Sequence, residues 1–168
     1  DRDNDGFADH MYVADMGGQL FRLDIHNEES VAGLVTGGLL ANFGGDIEAD
    51  NRRFYYGPDI SEISLGTDHY YAVVLGSGFR AHPLNTTIND HFYMIKDEGV
   101  FTLDGNGDYG LPSTPLGLNN LYDATEHLLT SSDSVAKELA FEQFSESNGW
   151  YISLKIGGEK VLASPLIL

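Results

Sequence analysis

The sequence contains no cysteine and only nine lysine and arginine residues, and both shortages limit what the protein can be. Without cysteine there are no disulfide bonds and no thiolate metal ligands. The nine basic residues are outnumbered by 26 acidic ones, which gives a net charge of −17. A chain this negative repels phosphate backbones and anionic lipid headgroups and attracts cations. We therefore expect neither nucleic acid nor a membrane surface as a partner.

Long apolar runs are missing as well. No segment approaches the roughly 20 consecutive apolar residues that are needed to cross a bilayer. No basic start followed by an apolar stretch marks a signal peptide. Because the chain begins at Asp1 inside a motif, without an initiator Met, we expect it to be a piece of a longer protein. With 42% hydrophobic and 21% charged residues, residues 1–168 are expected to form a single folded domain.

Short apolar and aromatic runs separated by turns dominate the sequence. Aromatic and β-branched side chains favour strands, and the 20 glycines fall mostly between the runs. The segments predicted as strands are 11–14, 20–25, 53–56, 70–75, 92–95 and 150–154. The fold class is therefore predicted to be mainly β.

One short helix is predicted over Ser134–Phe144. Asp133 or Ser132 can cap its first turn, and Val135 and Leu139 recur on one apolar side. A shorter helical turn is predicted near residues 122–129.

Many short strands with glycine-rich turns are typical of a sandwich, a barrel or a propeller. At roughly 40 to 45 residues per four-stranded blade, the length supplies about three to four blades, near the lower limit for a closed ring. A segment of a larger propeller is therefore the predicted architecture. No clean sequence repeat recurs at that spacing, so periodicity alone does not select the propeller.

The first nine residues, here called the first acidic loop, have oxygen ligands at the spacing of a calcium-binding loop. The predicted ligands are the carboxylates of Asp1, Asp3, Asp5 and Asp9 and the backbone carbonyl of Phe7. Gly6 permits the sharp turn that curls them around one point. Four carboxylates crowded into nine residues repel each other without a cation, and the number of ligands favours calcium over magnesium.

This loop departs from an EF-hand. The twelfth position is Tyr12, where an EF-hand has a bidentate Glu, and a predicted strand follows instead of a helix. We therefore predict a calcium site embedded in β-structure.

A second acidic loop, residues 104–108, repeats the alternation with Asp104, Asn106 and Asp108. Tyr109 stands where the turn glycine belongs and Pro112 where the last acid belongs. An Asx-type hairpin turn is therefore favoured, with a second metal site as the alternative. Residues 105–110 also spell G-x-G-x-x-G, but Leu111-Pro112 follows where a dinucleotide-binding motif begins its helix.

No catalytic constellation emerges from the sequence. Ser77 lies between Gly76 and Gly78, without the intervening residues that a nucleophile elbow needs, so a tight backbone bend is the better interpretation. The six histidines show no metal-ligand spacing: His10, His26, His69, His82, His91 and His127. We therefore expect a protein that is not an enzyme.

The first acidic loop and the hairpin sequence that follows it, residues 11–24, resemble the PilC/PilY family of type IV pilus biogenesis and tip-adhesin proteins. Further segments that match in order are 53–59, 75–84, 92–97 and 149–161. The resemblance spans nearly the whole chain. It implies a segment of a modified, quinoprotein-like β-propeller, with calcium held by Asp1, Asp3, Asp5, the Phe7 carbonyl and Asp9.

The resemblance also implies where and how such a protein acts. The family is exported and displayed at the bacterial cell surface or pilus tip, or is associated with the periplasm or outer membrane. Calcium occupancy influences pilus extension and retraction, and with them adhesion and twitching motility. The expected partners of the full-length protein are pilus components or a host or surface receptor.

Two other functions fit the same loop or the same fold. Integrin-like FG-GAP adhesion propellers use similar calcium loops, and a quinoprotein-type dehydrogenase would use calcium beside a quinone cofactor. Fold resemblance is weak support for such chemistry.

Overall fold

A computed structural model describes residue 2 and residues 5–27 and 29–168. Within these residues the chain forms eight strands and one α-helix, α1 (Ser134–Glu146). The strands are β1 (His10–Ala14), β2 (Gln19–Ile25), β3 (Val35–Asn42), β4 (Asp59–Leu65), β5 (Asp68–Gly76), β6 (His91–Asp97), β7 (Tyr122–Asp123) and β8 (Gly149–Ser153). The expectation of a mainly β protein with one short helix is confirmed.

The first sheet, sheet A, is an antiparallel meander in the order β1-β2-β3. Side chains alternate along β2, so that Leu20, Arg22 and Asp24 are buried while the intervening residues are half-buried. The register pairs His10 with Asp24 across β1 and β2. This pairing places polar residues on the inner face of the sheet, next to the first acidic loop.

The second sheet, sheet B, has the order β4-β5-β6-β8-β7. Its first four strands are antiparallel, and the two-residue β7 runs parallel to β8 at the edge. β5 and β6 are the most buried strands because both of their faces are covered. One face packs on sheet A, and the other carries Val74 and Met94 against Trp150 and Ile167.

The main hydrophobic core lies between the inner faces of the two sheets. Phe43 stacks on the fully buried Tyr93, with ring centroids 4.3 Å apart, and Phe54 meets Tyr93 edge-on at 5.8 Å. The other core residues are Leu20, Leu40, Ala41, Val73, Leu75, Ile95, Leu116 and Leu121. Neither sheet closes on itself in the described part of the chain, and two sheets are fewer than the three to four blades that the length suggested.

One predicted strand is absent, and three strands were missed, β3, β4 and the two-residue β7. Residues 53–56 lie outside every strand, because Phe54 N–H donates to the Asp15 carbonyl (3.1 Å) and the Arg53 carbonyl accepts from Gly78 (3.0 Å). The segment looks like a strand in sequence because Phe54 belongs to the core. The missed strands β3 and β4 contain Gly-Gly or several Asp, Ser and Glu residues, which have low strand propensity.

The predicted helix is confirmed, but its apolar side is not the one expected. Asp133 caps it, accepting hydrogen bonds from the backbone of Val135 (2.9 Å) and Ala136 (3.3 Å). Val135 and Leu139 are 74% and 52% exposed, whereas Ala140 is buried. No helix in the described residues is long and apolar enough to cross a bilayer.

Residues 122–129 also differ from expectation. They begin with β7, which pairs with β8, and only their last two residues enter a 3-10 turn (Leu128–Thr130). A parallel pairing to a distant strand overrides the local preference for a helical turn.

Gly37 in β3 is a position that only glycine fits. Its φ is +124°, and a Cβ atom there would lie 2.2 Å from the Arg22 carbonyl oxygen. We expect Gly37→Ala to lower the free energy of unfolding by about 1–3 kcal/mol, because alanine would be strained and would push β3 away from β2. Urea denaturation measures this. Gly105→Ala is the control, since a Cβ on Gly105 meets nothing within 4 Å; equal effects would contradict the prediction.

Candidate metal site

The described part of the first acidic loop has the turn that the sequence predicts. Asp5 Oδ1 accepts a hydrogen bond from the Phe7 backbone N–H at 2.7 Å. Gly6 between them has a φ of +91°, in the region that favours glycine. Asp1 and Asp3, two of the predicted calcium ligands, lie outside the described residues.

Asp9, at the end of the loop, accepts hydrogen bonds from the start of the loop and from β2. Its side-chain carboxylate accepts a hydrogen bond from the backbone N–H of Arg2. Its backbone carbonyl accepts from Ile25 N–H at 2.8 Å, which ties the loop to the last residue of β2. The two ends of the loop are therefore held near each other and next to sheet A.

A cavity of about 290 Å³ lies beside the loop. Asp5 and Asp9 line one side, and Asn27, Glu29 and Tyr109 contribute to the remainder. Carboxylate and amide oxygens are the ligands that calcium prefers. The Phe7 ring has no ligand atom, so this residue could contribute only through its backbone.

The oxygen donors and the turn described above are of the kind that a hard cation needs. The donor chemistry and the turn at Gly6 match a calcium loop. Among the described residues, however, no group of three His, Cys, Asp or Glu side chains is close enough to hold a metal ion. The predicted ligand set includes two residues outside that part of the chain, so calcium binding stays a prediction.

Arg2 anchors the loop to the segments that follow β6. Its Nη1 donates to the carbonyl of the buried Val100 at 2.9 Å, just beyond β6. Its guanidinium carbon lies 5.9 Å from the ring centroid of Phe101 and 5.4 Å from that of Tyr109. Guanidinium groups are attracted to aromatic faces at such distances. The loop thus contacts sheet A and the segments that follow β6.

The second acidic loop is the hairpin turn that the sequence favoured. Asp104 Oδ1 accepts from the backbone of Asn106 (2.7 Å) and Asp108 (3.0 Å), which is an Asx-type turn. These two backbone hydrogen bonds lower the pKa of the exposed Asp104 carboxyl. Leu103 and Tyr109 pair across the turn, which places Tyr109 beside the first acidic loop.

A buried ion-pair network lies directly behind the first acidic loop and joins the two sheets. Arg22, fully buried, donates to both oxygens of Asp24 (2.9 and 3.0 Å) and both oxygens of Asp97 (2.8 and 3.0 Å). His10 Nδ1 lies 2.7 Å from Asp24 Oδ1, and the Tyr12 hydroxyl donates to Asp97 at 2.8 Å. Arg22 and Asp24 belong to β2, and Asp97 ends β6.

Burial and charge set the protonation of this network. Burial alone would raise the pKa of Asp24, but hydrogen bonds from His10 and Arg22 outweigh it and hold that pKa below its usual value. Burial and the Asp97 carboxylate raise the pKa of Tyr12, so the phenol stays protonated and keeps donating. The network therefore places one arginine between two buried carboxyl groups, and Asp24 is held in its ionised form.

A second polar cluster is buried at the far end of β5 and β6. The Ser77 hydroxyl donates to Asp90 at 2.8 Å, and burial raises the pKa of Asp90. Ser77 is fully buried, and a Cβ on the preceding Gly76 would lie 2.5 Å from the Val161 side chain. The glycines around Ser77 therefore allow Val161 to pack closely against the chain. Residues 77–79 form no turn or bend, so the predicted tight bend is not confirmed.

Sequence reasoning missed Arg2, Tyr109 and Arg22. Arg2 occupies a variable position of the loop motif. Tyr109 occupies the position at which a calcium loop has its turn glycine, so the sequence indicates no role for it. Arg22 and Asp24 alternate in an otherwise apolar strand, which is a usable signal: two charges on the buried face of a strand need partners. The sequence could not show that Asp97, 75 residues further along, is one of them.

The chain is similar to a protein of Xylella fastidiosa (strain Temecula1) named "Type IV pilus biogenesis factor PilY1 homolog". The two are 24% identical over 177 aligned residues, which cover 99% of this chain and 11% of that protein. The chain thus spans about a tenth of the relative's length. No protein-family model matches the chain, and no solved structure matches it.

Proposed function

We propose that this chain is a calcium-binding, non-enzymatic segment of a type IV pilus biogenesis and tip-adhesin protein. The observation that carries the proposal is the similarity, along 99% of the chain, to a protein named as a type IV pilus biogenesis factor homologue. The segment would belong to a larger β-propeller. The protein would be exported and act at the cell surface or pilus tip.

Calcium would be held by the first acidic loop. Asp1, Asp3, Asp5 and Asp9 would supply carboxylates, and Phe7 its carbonyl. The turn at Gly6 and the hydrogen bond from Phe7 N–H to Asp5 support this ligand set. The ion would offset the repulsion among these carboxylates and hold the start of β1.

Such a site would act as a structural switch. The loop contacts sheet A through Asp9 and the segment directly after β6 through Arg2, so an ion bound there would strengthen the connection between sheet A and that segment. In the full-length protein this would make the surface around the loop competent to engage pilus components or a receptor. Calcium occupancy would thereby regulate pilus extension, retraction, adhesion and twitching motility.

The calcium site is tested on the isolated chain. We expect calcium at 100 times its dissociation constant to raise the free energy of unfolding by about 2.7 kcal/mol, because it binds only the folded loop. Asp9→Ala should abolish the effect. Thermal melts with calcium and with chelator measure it, and Asp46→Ala, an exposed carboxylate away from the loop, is the control. Identical melting temperatures of the unmodified chain in calcium and chelator would refute the calcium site.

The pilus role needs the full-length protein in its own host. Cells that carry Asp9→Ala in the full-length gene should show altered surface piliation and twitching, while cells with Asp46→Ala behave normally. Normal piliation and twitching after complete deletion of the gene would refute this part of the proposal.

A further inference from the structure

Arg2 has more contacts than a variable loop position requires. Besides its hydrogen bond to the Val100 carbonyl, its Nη2 donates to the Tyr109 hydroxyl at 3.4 Å and its guanidinium lies over the Tyr109 ring. Arg2 stands between the predicted ligands Asp1 and Asp3 in the chain. The contacts that hold Arg2 therefore act at the start of the loop.

Tyr109 is contacted by the start of the first acidic loop, by the first residue of β1 and by the turn after β2. His10, which follows the predicted ligand Asp9, meets the Tyr109 ring edge-on at 4.7 Å, and His26 stacks on it at 6.0 Å. Tyr109 also lines the cavity beside Asp5 and Asp9. The hairpin of the second acidic loop presents this ring and has no other role in the proposed function.

From this geometry we infer that Tyr109 and Arg2 are positioning residues for the calcium site. The second acidic loop would then hold the start of the first acidic loop, through Arg2, and the strand residue directly after it, His10, on one aromatic ring. This inference rests on the proposed calcium binding. A loop held in its bound shape loses less conformational freedom on binding. Loss of outer-shell partners at metal sites typically reduces affinity by about 10- to 100-fold.

The charge of Arg2 and its positioning role have opposite effects on calcium affinity. A positive side chain beside a divalent cation opposes binding by Coulomb repulsion. If Arg2 were only a neighbouring charge, Arg2→Met would bind calcium more tightly. A positioning role predicts the opposite sign. Tyr109→Leu removes the ring without changing any charge, so its effect reports positioning alone.

The test is calorimetric titration of CaCl₂ into the calcium-free chain and its variants, with circular dichroism to verify that each is folded. We expect Tyr109→Leu and Arg2→Met to lower calcium affinity about 10-fold or more, and Tyr109→Phe, which keeps the ring, to restore most of it. The control is Tyr56→Leu. Arg80 lies over the Tyr56 ring at 5.7 Å, so this variant removes a similar pair in another part of the chain.

The outcomes separate the inference from the proposed function. If the unmodified chain does not bind calcium, the proposed site fails and the inference fails with it. If it binds calcium and Tyr109→Leu stays within about twofold of it, or if Arg2→Met binds more tightly, only the positioning role is refuted. Should Tyr109→Leu fail to fold, Arg2→Met decides the question, because its expected change has opposite signs under the two interpretations.

Discussion

Replacement of Arg22 by methionine is expected to destabilise the protein by about 3–5 kcal/mol. Arg22 is fully buried and supplies four hydrogen bonds to the carboxylates of Asp24 and Asp97. Methionine fills a similar volume but leaves two buried carboxylates facing each other without a cation. Since Asp24 lies in sheet A and Asp97 in sheet B, the repulsion acts across the junction of the sheets.

Urea denaturation at neutral pH measures this loss. Arg53→Met is the matched control, because Arg53 is half-buried, its side chain donates to the Asn51 carbonyl (3.0 Å), and its guanidinium covers the Phe79 ring at 3.8 Å. Its removal should cost at most about 1 kcal/mol. Similar losses for the two variants would mean that the network contributes no more than an ordinary surface contact.

A double variant distinguishes buried charge from lost packing. If uncompensated charge causes the loss, adding Asp97→Asn to Arg22→Met should recover part of the stability, because one of the two unpaired carboxylates disappears. If the loss came from packing alone, the second substitution would add a further cost.

Acid is expected to destabilise the protein through His91 by up to about 3 kcal/mol. Burial, followed by the nearby Arg52 guanidinium, lowers the pKa of His91 from 6.5 to about 4. The ring is 5% exposed, and its Nδ1 lies 2.8 Å from the Asn89 carbonyl. The folded protein therefore keeps this histidine neutral at a pH where the unfolded chain protonates it.

The sign of the pH dependence follows from that difference. As the pH falls below about 6.5, His91 binds a proton in the unfolded state but not in the folded state. The free energy of unfolding therefore decreases progressively until about pH 4. His91→Asn cannot take up this proton, and an amide can still donate to the Asn89 carbonyl. The variant should therefore lose less stability than the unmodified chain between about pH 7 and pH 4.5.

Urea denaturation at the two pH values gives the difference. Asp90 beside His91 contributes with the opposite sign, because burial raises its pKa, but it is present in both proteins and cancels in the comparison. His69→Asn is the control, since its ring is 45% exposed and pairs with Glu62 at the surface. Equal acid sensitivity of His91→Asn and the unmodified chain would contradict the prediction.

Sequence patterns predicted the elements whose signal is local. The aromatic and β-branched runs of β2, β5 and β6 are visible because a buried pleated surface needs such side chains. The cap of α1 is visible because Asp133 satisfies its first amides. In contrast, β3 and β4 form through hydrogen bonds to the neighbouring strands β2 and β5, which their composition does not reveal.

The first acidic loop could be recognised because its chemistry lies within nine consecutive residues. Alternating carboxylates, a glycine and a backbone carbonyl define such a loop with no knowledge of the remaining chain. The residues that surround the loop are far from it in the sequence. Tyr109 follows the loop by 100 residues or more and reaches it only because the second acidic hairpin folds back against it.

The sequence by itself determined the mainly β composition, the helix, the Gly6 turn and the type of ligand that the loop offers, since each depends on neighbours in the chain. Only the tertiary structure decided that strands lie in two sheets, that Arg22 connects Asp24 to Asp97 between them, and that Arg2 and His10 meet on Tyr109. The contacts of Arg22 with Asp97 and of Arg2 and His10 with Tyr109 join residues 75 to 107 positions apart. Their partners are selected by packing and by the need to pair buried charges, which no local pattern records.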